Sequence, residues 1–165
     1  MWKKSYDDGP TLYLIPTPIG NMEDITFRGL KILKTVEVVF SEDTRVTQKL
    51  LNFFEIKKKL ISLHDHNESI VKEEVLSYLK NGLDVALVTD RGTPVISDPG
   101  YKTVSYISKN GYSVVALPGA CAFVPALIVS GLNPQPFTFY GFLDSKIEKK
   151  KKELQELKFV TNTLI

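Results

Sequence analysis

The stretch "DVALVTDRGTPVISDPG", residues 84–100, begins as an apolar run and ends in a loop where Gly92, Pro94, Pro99 and Gly100 restrict four positions in a span of nine. A short run with almost no polar alternation reads as a strand buried on both faces, which is the signature of a parallel sheet covered by helices on each side. The loop that follows costs ordering entropy and offers little packing in return, so it reads as a segment built to hold a ligand.

Outward from this stretch the same grammar repeats. "TLYLI" 11–15, "VEVVF" 36–40, "KLISL" 59–63 and "YSVVAL" 112–117 are further β-rich runs. Between them, Ile70, Val71, Val75, Leu76 and Leu79 fall at helical spacing and stop at Gly82, and Tyr101, Val104 and Ile107 do the same before Gly111. Residues 1–130 are therefore expected to form an α/β domain, a parallel sheet with flanking helices. Ligands of such sheets sit at the C-terminal strand ends. "PTPIGNMED", "SEDTR", "HDHNE", "DRGTPVISDPG" and "PGACA" should then converge on one rim. At "GLNPQPF", residues 131–137, the composition changes to that of a linker. Beyond it "FTFYGFL" reads as a strand, "KIEKKKKELQELK" as a helix and "FVTNTLI" as a strand. Such a piece cannot cover both faces of a sheet, so 131–165 is expected to be the truncated start of a second mixed α/β domain, or one completed by another chain.

With 165 residues, 43% hydrophobic and 24% charged, the chain has the balance of a folded globular protein. Lys and Arg (21) nearly cancel Asp and Glu (19), so net charge names no partner. The clusters Lys57–Lys59 and Lys146 with Lys149–Lys152, taken singly, read as solvated faces, and together with a polar rim they point modestly to nucleic acid. Cys121 stands alone, which excludes an intramolecular disulfide and a cysteine-rich metal site and favours a reducing compartment. The start "MWKKSYDDG" lacks the apolar core of a signal peptide, and no stretch reaches the roughly 20 apolar residues of a membrane span. A cytoplasmic location is expected, with no membrane partner.

In "PTPIGN", Pro16 and Pro18 fix the backbone around Thr17, and Gly20 admits close approach. Asn21 with Asp24 can cap the next helix, turning its amides to the rim. Neither a GxGxxG fingerprint nor a Walker lysine is present. In the loop after residue 89, Asp90 or Asp98 can accept from an amine or a ribose hydroxyl; alternatively Asp98 is an N-cap ahead of Pro99. "SEDTR" brings together Glu42, Asp43 and Arg45. A carboxylate there can take a substrate proton and the guanidinium can fork onto a phosphate, or Asp43 is an N-cap with Arg45 as its surface partner. His64 and His66 share a face if their segment is extended. Zinc would require a third ligand that the sequence does not offer, so no metal is expected; the pair is suited to bonding a polar substrate or shuttling a proton. Glu68 opens the following helix.

Taken in order and at these spacings, "LYLIPTPIGNMEDIT", "SEDTR", "LHDHNE", "DRGTPVISDPG" and "LPGA" resemble the ribosomal RNA small-subunit methyltransferase I family of the tetrapyrrole-methylase superfamily. The resemblance implies a two-domain, S-adenosyl-L-methionine-dependent enzyme, typically a homodimer, that methylates the ribose 2′-oxygen of a cytidine in 16S ribosomal RNA within the small subunit. It assigns cofactor contact to Gly92, Thr93 and Pro94 and to the corner Pro118-Gly119, and the loop residues Pro16, Thr17, Pro18, Gly20, Asp90, Ile96, Ser97 and Asp98 are expected to complete the cofactor site. For such a transfer the base is expected to be Glu42 or Asp43, with Arg45, His64, His66 and Asn67 orienting the cytidine and its phosphate. Arg91 and Val95 depart from the family pattern, being bulkier than the residues usual there. The rival readings are a small-molecule methylase acting on a tetrapyrrole and a non-catalytic RNA-binding module. The first needs a wide apolar or Arg-lined cleft, and the second lacks an RNP-like aromatic pattern.

Overall fold

The computed structural model describes residues 9–165; the charged start of the chain, read above for targeting, lies outside them. Two compact units are formed, one ending at Ala120 and the other running Cys121–Ile165. The linker-like stretch 131–137 lies within the second.

The first unit carries five strands, β1 (Thr11–Leu14), β2 (Val38–Ser41), β3 (Lys59–Ser62), β4 (Val85–Val88) and β5 (Ser113–Ala116). They pair in the order β3-β2-β4-β1-β5, and every pairing is parallel. Parallel alignment sends all five C-terminal ends to the same edge, so the five loops share one rim.

Alternation along the strands divides the core into two layers. Leu12, Leu14, Val38, Phe40, Val85 and Leu87 face one way, against Val71, Val75, Leu76 and Leu79 of α3 (Glu68–Lys80) and Ile107 of α4 (Tyr101–Lys109). Ile15, Val39, Ala86, Val88 and Val115 face the other way, against Leu33 of α1 (Phe27–Thr35) and Leu50 and Leu51 of α2 (Thr44–Phe53). Both faces are thus covered, as the unbroken apolar runs require. Burying each such side chain contributes on the order of 1.5–3 kcal/mol.

The helix starts differ from two of the sequence expectations. Asn21 caps only the short 3-10 turn Met22–Asp24, accepting from the Glu23 amide. The α-helix starts later, where the Thr26 hydroxyl accepts from Gly29 N at 3.0 Å. Asp98 does not cap α4, because Gly100 intervenes as its N-cap at φ 124°. Thr103 N, which would be left open, donates instead to Glu68 Oε1 at 2.7 Å, so the cap comes from the start of a neighbouring helix.

In the second unit α5 (Phe123–Val129) precedes β6 (Phe137–Thr138), which pairs in parallel with β7 (Thr163–Leu164) across α6 (Ile147–Leu157). Strand, helix and strand occur in the expected order, but each strand keeps only two paired residues. Among the described residues no helix is long and apolar enough to cross a membrane.

Gly100 shows how tightly the β4 loop is bound to the core. A Cβ on it would lie 2.7 Å from Leu87 Cδ2 and 3.2 Å from Val95 Cγ2, at a φ no L-residue favours. Gly100→Ala is expected to lose more than about 2 kcal/mol in urea unfolding. Gly111→Ala, also at positive φ but with nothing within 4 Å, should lose only the backbone part, roughly 1–2 kcal/mol.

Candidate active site at the strand ends

The rim is knitted by hydrogen bonds between loops that are distant in sequence. Thr17 N donates to Gly92 O at 2.9 Å and Gly92 N returns to Thr17 O at 3.0 Å. The Thr17 hydroxyl donates to Thr89 O, and Thr93 Oγ1 to Ala120 O at 2.9 Å. Gly119 lies so close to Pro16 that a Cβ would meet the ring at 2.8 Å. Thr17, Gly92 and Pro94 are buried and Thr93 is partly so, while Ile96, Ser97, Pro118 and Gly119 are exposed along the edge. Val95 and Ser97 hold φ 78° and 63°, a left-handed backbone that is costly for a β-branched residue. Strain of this kind persists only where the surroundings over-determine it, and it concentrates in binding loops.

At the centre, the loops of neighbouring β2 and β4 clasp each other through carboxyl groups. Asp43 N donates to Asp90 Oδ1 at 3.1 Å, and Asp90 N donates to Glu42 Oε2 at 3.4 Å. Burial pushes the Glu42 carboxyl above its ordinary 4.5; the Asp90 amide opposes this, and the charges of Asp90, Asp98 and Asp65 reinforce it. Asp98 is likewise raised, first by burial and then by Asp90 and Asp65, against a lowering contribution from the Thr89 side chain.

Asp43 is placed for another task. Its side chain accepts from Arg45 N at 2.8 Å as the N-cap of α2, and both its oxygens receive the Arg45 guanidinium, at 2.6 Å from Nη2. These bonds hold its carboxyl down at about 2. The capping alternative is therefore realised for Asp43, and Arg45 is its exposed partner.

"HDHNE" forms a turn rather than the extended segment that same-face spacing required. The two imidazoles still meet, with centroids 5.9 Å apart and edge to face. His64 Nδ1 is buried without a hydrogen bond, and among the described residues no third metal-ligating side chain joins the pair. Asn67 uses both ends of its amide inside the loop, accepting from His64 N at 2.8 Å and donating to Ser62 O at 2.9 Å.

A cavity of about 250 Å³ opens between the β1 loop, α2 and residues 89–91. Thr17, Pro18, Gly20 and Asp90 line it, together with Met22, Val46, Thr47, Lys49, Leu50, Thr89 and Arg91. Sequence reasoning missed the α2 contribution. Thr47 and Leu50 sit three apart and read as ordinary helix stripe; only the approach of α2 to the β1 loop turns them to a cavity.

The chain matches the family described as Tetrapyrrole (Corrin/Porphyrin) Methylases over residues 11–165. It is 50% identical over 154 residues to the ribosomal RNA small subunit methyltransferase I of Bacillus subtilis, covering 93% of this chain and 53% of that protein. The corresponding protein of Escherichia coli O157:H7 is 45% identical over 154 residues, covering 93% and 54%. The chain thus spans about half the length of the curated relatives it matches. Among solved structures it resembles uroporphyrin-III-C-methyltransferase from Thermus thermophilus, with a TM-score of 0.58, 20% identity, and coverage of 79% of this chain and 59% of that one. At that identity the likeness concerns the fold.

Glu68, only 2% exposed, ties the "HDHNE" turn to the exit of the β4 loop. Glu68→Ala removes the acceptor from Thr103 N and should cost roughly 1–3 kcal/mol in denaturant titration. Glu68→Gln, which keeps an acceptor, should recover most of that. Exposed His66→Ala should stay within about 0.5 kcal/mol of the parent.

Proposed function

From the premise that the chain belongs to the tetrapyrrole (corrin/porphyrin) methylase family, we propose that it is the rim-bearing part of an S-adenosylmethionine-dependent methyltransferase whose acceptor is a ribose 2′-hydroxyl of a cytidine in 16S ribosomal RNA. The acceptor, the small subunit as partner, a cytoplasmic setting and a homodimeric assembly all belong to this proposal. The observation that carries it is the Glu42 carboxyl, which accepts from the Asp90 amide at 3.4 Å in the middle of a rim built by five loops.

The residues of the rim fit the cofactor. Backbones packed without a Cβ at Gly92 and Gly119, a strained and exposed edge at Ile96 and Ser97, and a partly buried carboxyl at Asp98 form a stiff cradle with acceptors for an amine or ribose hydroxyls. Thr93, Pro94, Pro16 and Pro118 fix the edges of that cradle. When bound, S-adenosylmethionine supplies a methyl group on a sulfonium that departs as a neutral thioether, so the protein need not stabilise a charged leaving group.

What remains for the protein is alignment and proton removal. Alignment supplies up to about 7–11 kcal/mol. Glu42 is the better base of the two carboxylates, because its pKa is lifted toward neutrality whereas Asp43 is held at about 2 by Arg45 and the α2 amides. Asp43 instead orients Arg45, whose solvent-facing guanidinium is available to a phosphate. His64 and His66 stand beside the acceptor, and Asn67 positions their turn.

The base assignment predicts the acid side of the pH profile. A raised folded pKa means that Glu42 becomes protonated while pH is still above 4.5, and activity should fall there. A base at Asp43 would stay ionised down to about 2. With S-adenosylmethionine and small ribosomal subunits lacking the methyl group, Glu42→Gln should lower kcat by about 10² or more and abolish that limb. Asp43→Asn should act mainly through KM. Unchanged kcat in Glu42→Gln would remove Glu42 from the chemistry, and transfer to a tetrapyrrole but not to RNA would replace the acceptor.

A further inference from the structure

The segment "KIEKKKKELQELK", residues 146–158, holds six lysines against three glutamates, so it carries +3 while the other residues of the chain together carry −1. Its body folds as α6, in which no residue is buried. Lys149, Lys151, Lys152 and Lys158 are exposed and Lys150 is half-buried. Among the described residues these lysines make one ion pair, from Lys149 Nζ to Asp144 Oδ2 at 3.4 Å. Glu153 is spent elsewhere, its Oε2 accepting from Asp144 N at 2.9 Å. The cations are thus largely uncompensated.

A helix face that is merely solvated interleaves its charges, so that Glu and Lys four apart support each other, and it sets its bases near the C-terminus to match the macrodipole. α6 does the reverse. Lys149 to Lys152 fall in its first two turns, and its last turn contains Glu156 but no base. Each cation in the first turn opposes the dipole by roughly 0.3–1 kcal/mol, and Lys149 and Lys152, three apart, repel each other. The order of charges that weakens the isolated helix adds the lysines to its positive end. The resulting field is the complement of a polyanion.

The side chains present decide which feature of a polyanion they hold. Lysine is a compact point charge on a flexible stem, suited to phosphates and lacking the planar fork that reads a base edge. α6 contains no aromatic residue on which an unpaired base would stack. We propose that the exposed lysines of α6 and its end, Lys151, Lys152 and Lys158 foremost, dock the phosphate backbone of a paired segment of the RNA substrate. The inference rests on the RNA methyltransferase reading above and adds to it a holding surface made of residues other than those of the rim. Contact of this kind is independent of sequence and weakens steeply with salt, because each neutralised phosphate releases its counterions.

The test follows the fluorescence anisotropy of a labelled short RNA duplex titrated with the chain at potassium chloride from about 50 to 200 mM. The variant Lys151→Gln/Lys152→Gln/Lys158→Gln keeps helix propensity. It should bind at least about tenfold more weakly at low salt and flatten the slope of log K against log salt by about 2 to 3. The same three positions changed to Arg should bind like the parent. A charge-matched control, Lys31→Gln/Lys34→Gln/Lys109→Gln, at exposed positions of α1 and α4, should keep the parent slope. No binding of the duplex, an unchanged slope in the α6 variant, no rescue by Arg, or an equal loss in the control would each overturn the proposal. So would weaker binding to whole small subunits with duplex binding intact, which makes a ribosomal protein the partner. Methyl transfer to small subunits separates the proposal from the reading it rests on. Duplex binding through α6 without transfer defeats the enzyme assignment alone, and transfer with the same KM in the parent and the Gln variant defeats this surface alone.

Discussion

Two acidic loops held against each other by their own backbone amides organise everything at this rim. Glu42 and Asp90 would separate as free carboxylates, yet the 3.4 Å bond from Asp90 N and the 3.1 Å bond from Asp43 N keep them together. The clasp follows from sheet order. β2 and β4 are adjacent and parallel, so the residues just past their ends are neighbours although 47 and 48 positions apart in the chain. Partial burial, reinforced by the like charges close by, is what keeps the Glu42 carboxyl protonated longer than usual.

The other ties give that clasp a rigid frame. The Thr17–Gly92 pair and the Thr93–Ala120 bond attach the β1, β4 and β5 loops to one another, and Glu68 anchors the start of α4 just past the β4 loop. Each is a polar contact at the edge of a core built mainly from apolar side chains. The division of labour is that of a scaffold with its chemistry on the loops. Dispersion and burial fix the strands, the strands fix the loop origins, and a handful of hydrogen bonds fix the loop tips to the tolerance that the proposed methyl transfer demands.

The sheet was legible because its physics is local. "DVALVT" and "YSVVAL" are continuous apolar runs, and the observed strands Val85–Val88 and Ser113–Ala116 lie inside them. The stripe from Val71 to Leu79 named α3 in the same way. What the sequence hid depends on partners far along the chain. Asp98 before Pro99 has the composition of a helix cap, but Gly100 displaces the start of α4 and Glu68 takes over the capping from 35 residues away. "FTFYGFL" has strand composition over seven residues, yet its partner β7 pairs with only two of them. Asn67 looked like a substrate ligand and is consumed by its own turn. Thr47 and Leu50 gained their meaning only when α2 docked beside the β1 loop.

Asp43 and Glu42 are adjacent in sequence and identical in functional group, and the fold separates them by partners alone. One meets a guanidinium and a helix start, the other a neighbouring acid and partial burial. Carbon-13 NMR titration of the two side-chain carboxyls resolves that separation directly. The account predicts that Asp43 titrates at about 2 and Glu42 above its ordinary 4.5. Two carboxyls titrating together, or Glu42 below Asp43, would contradict it.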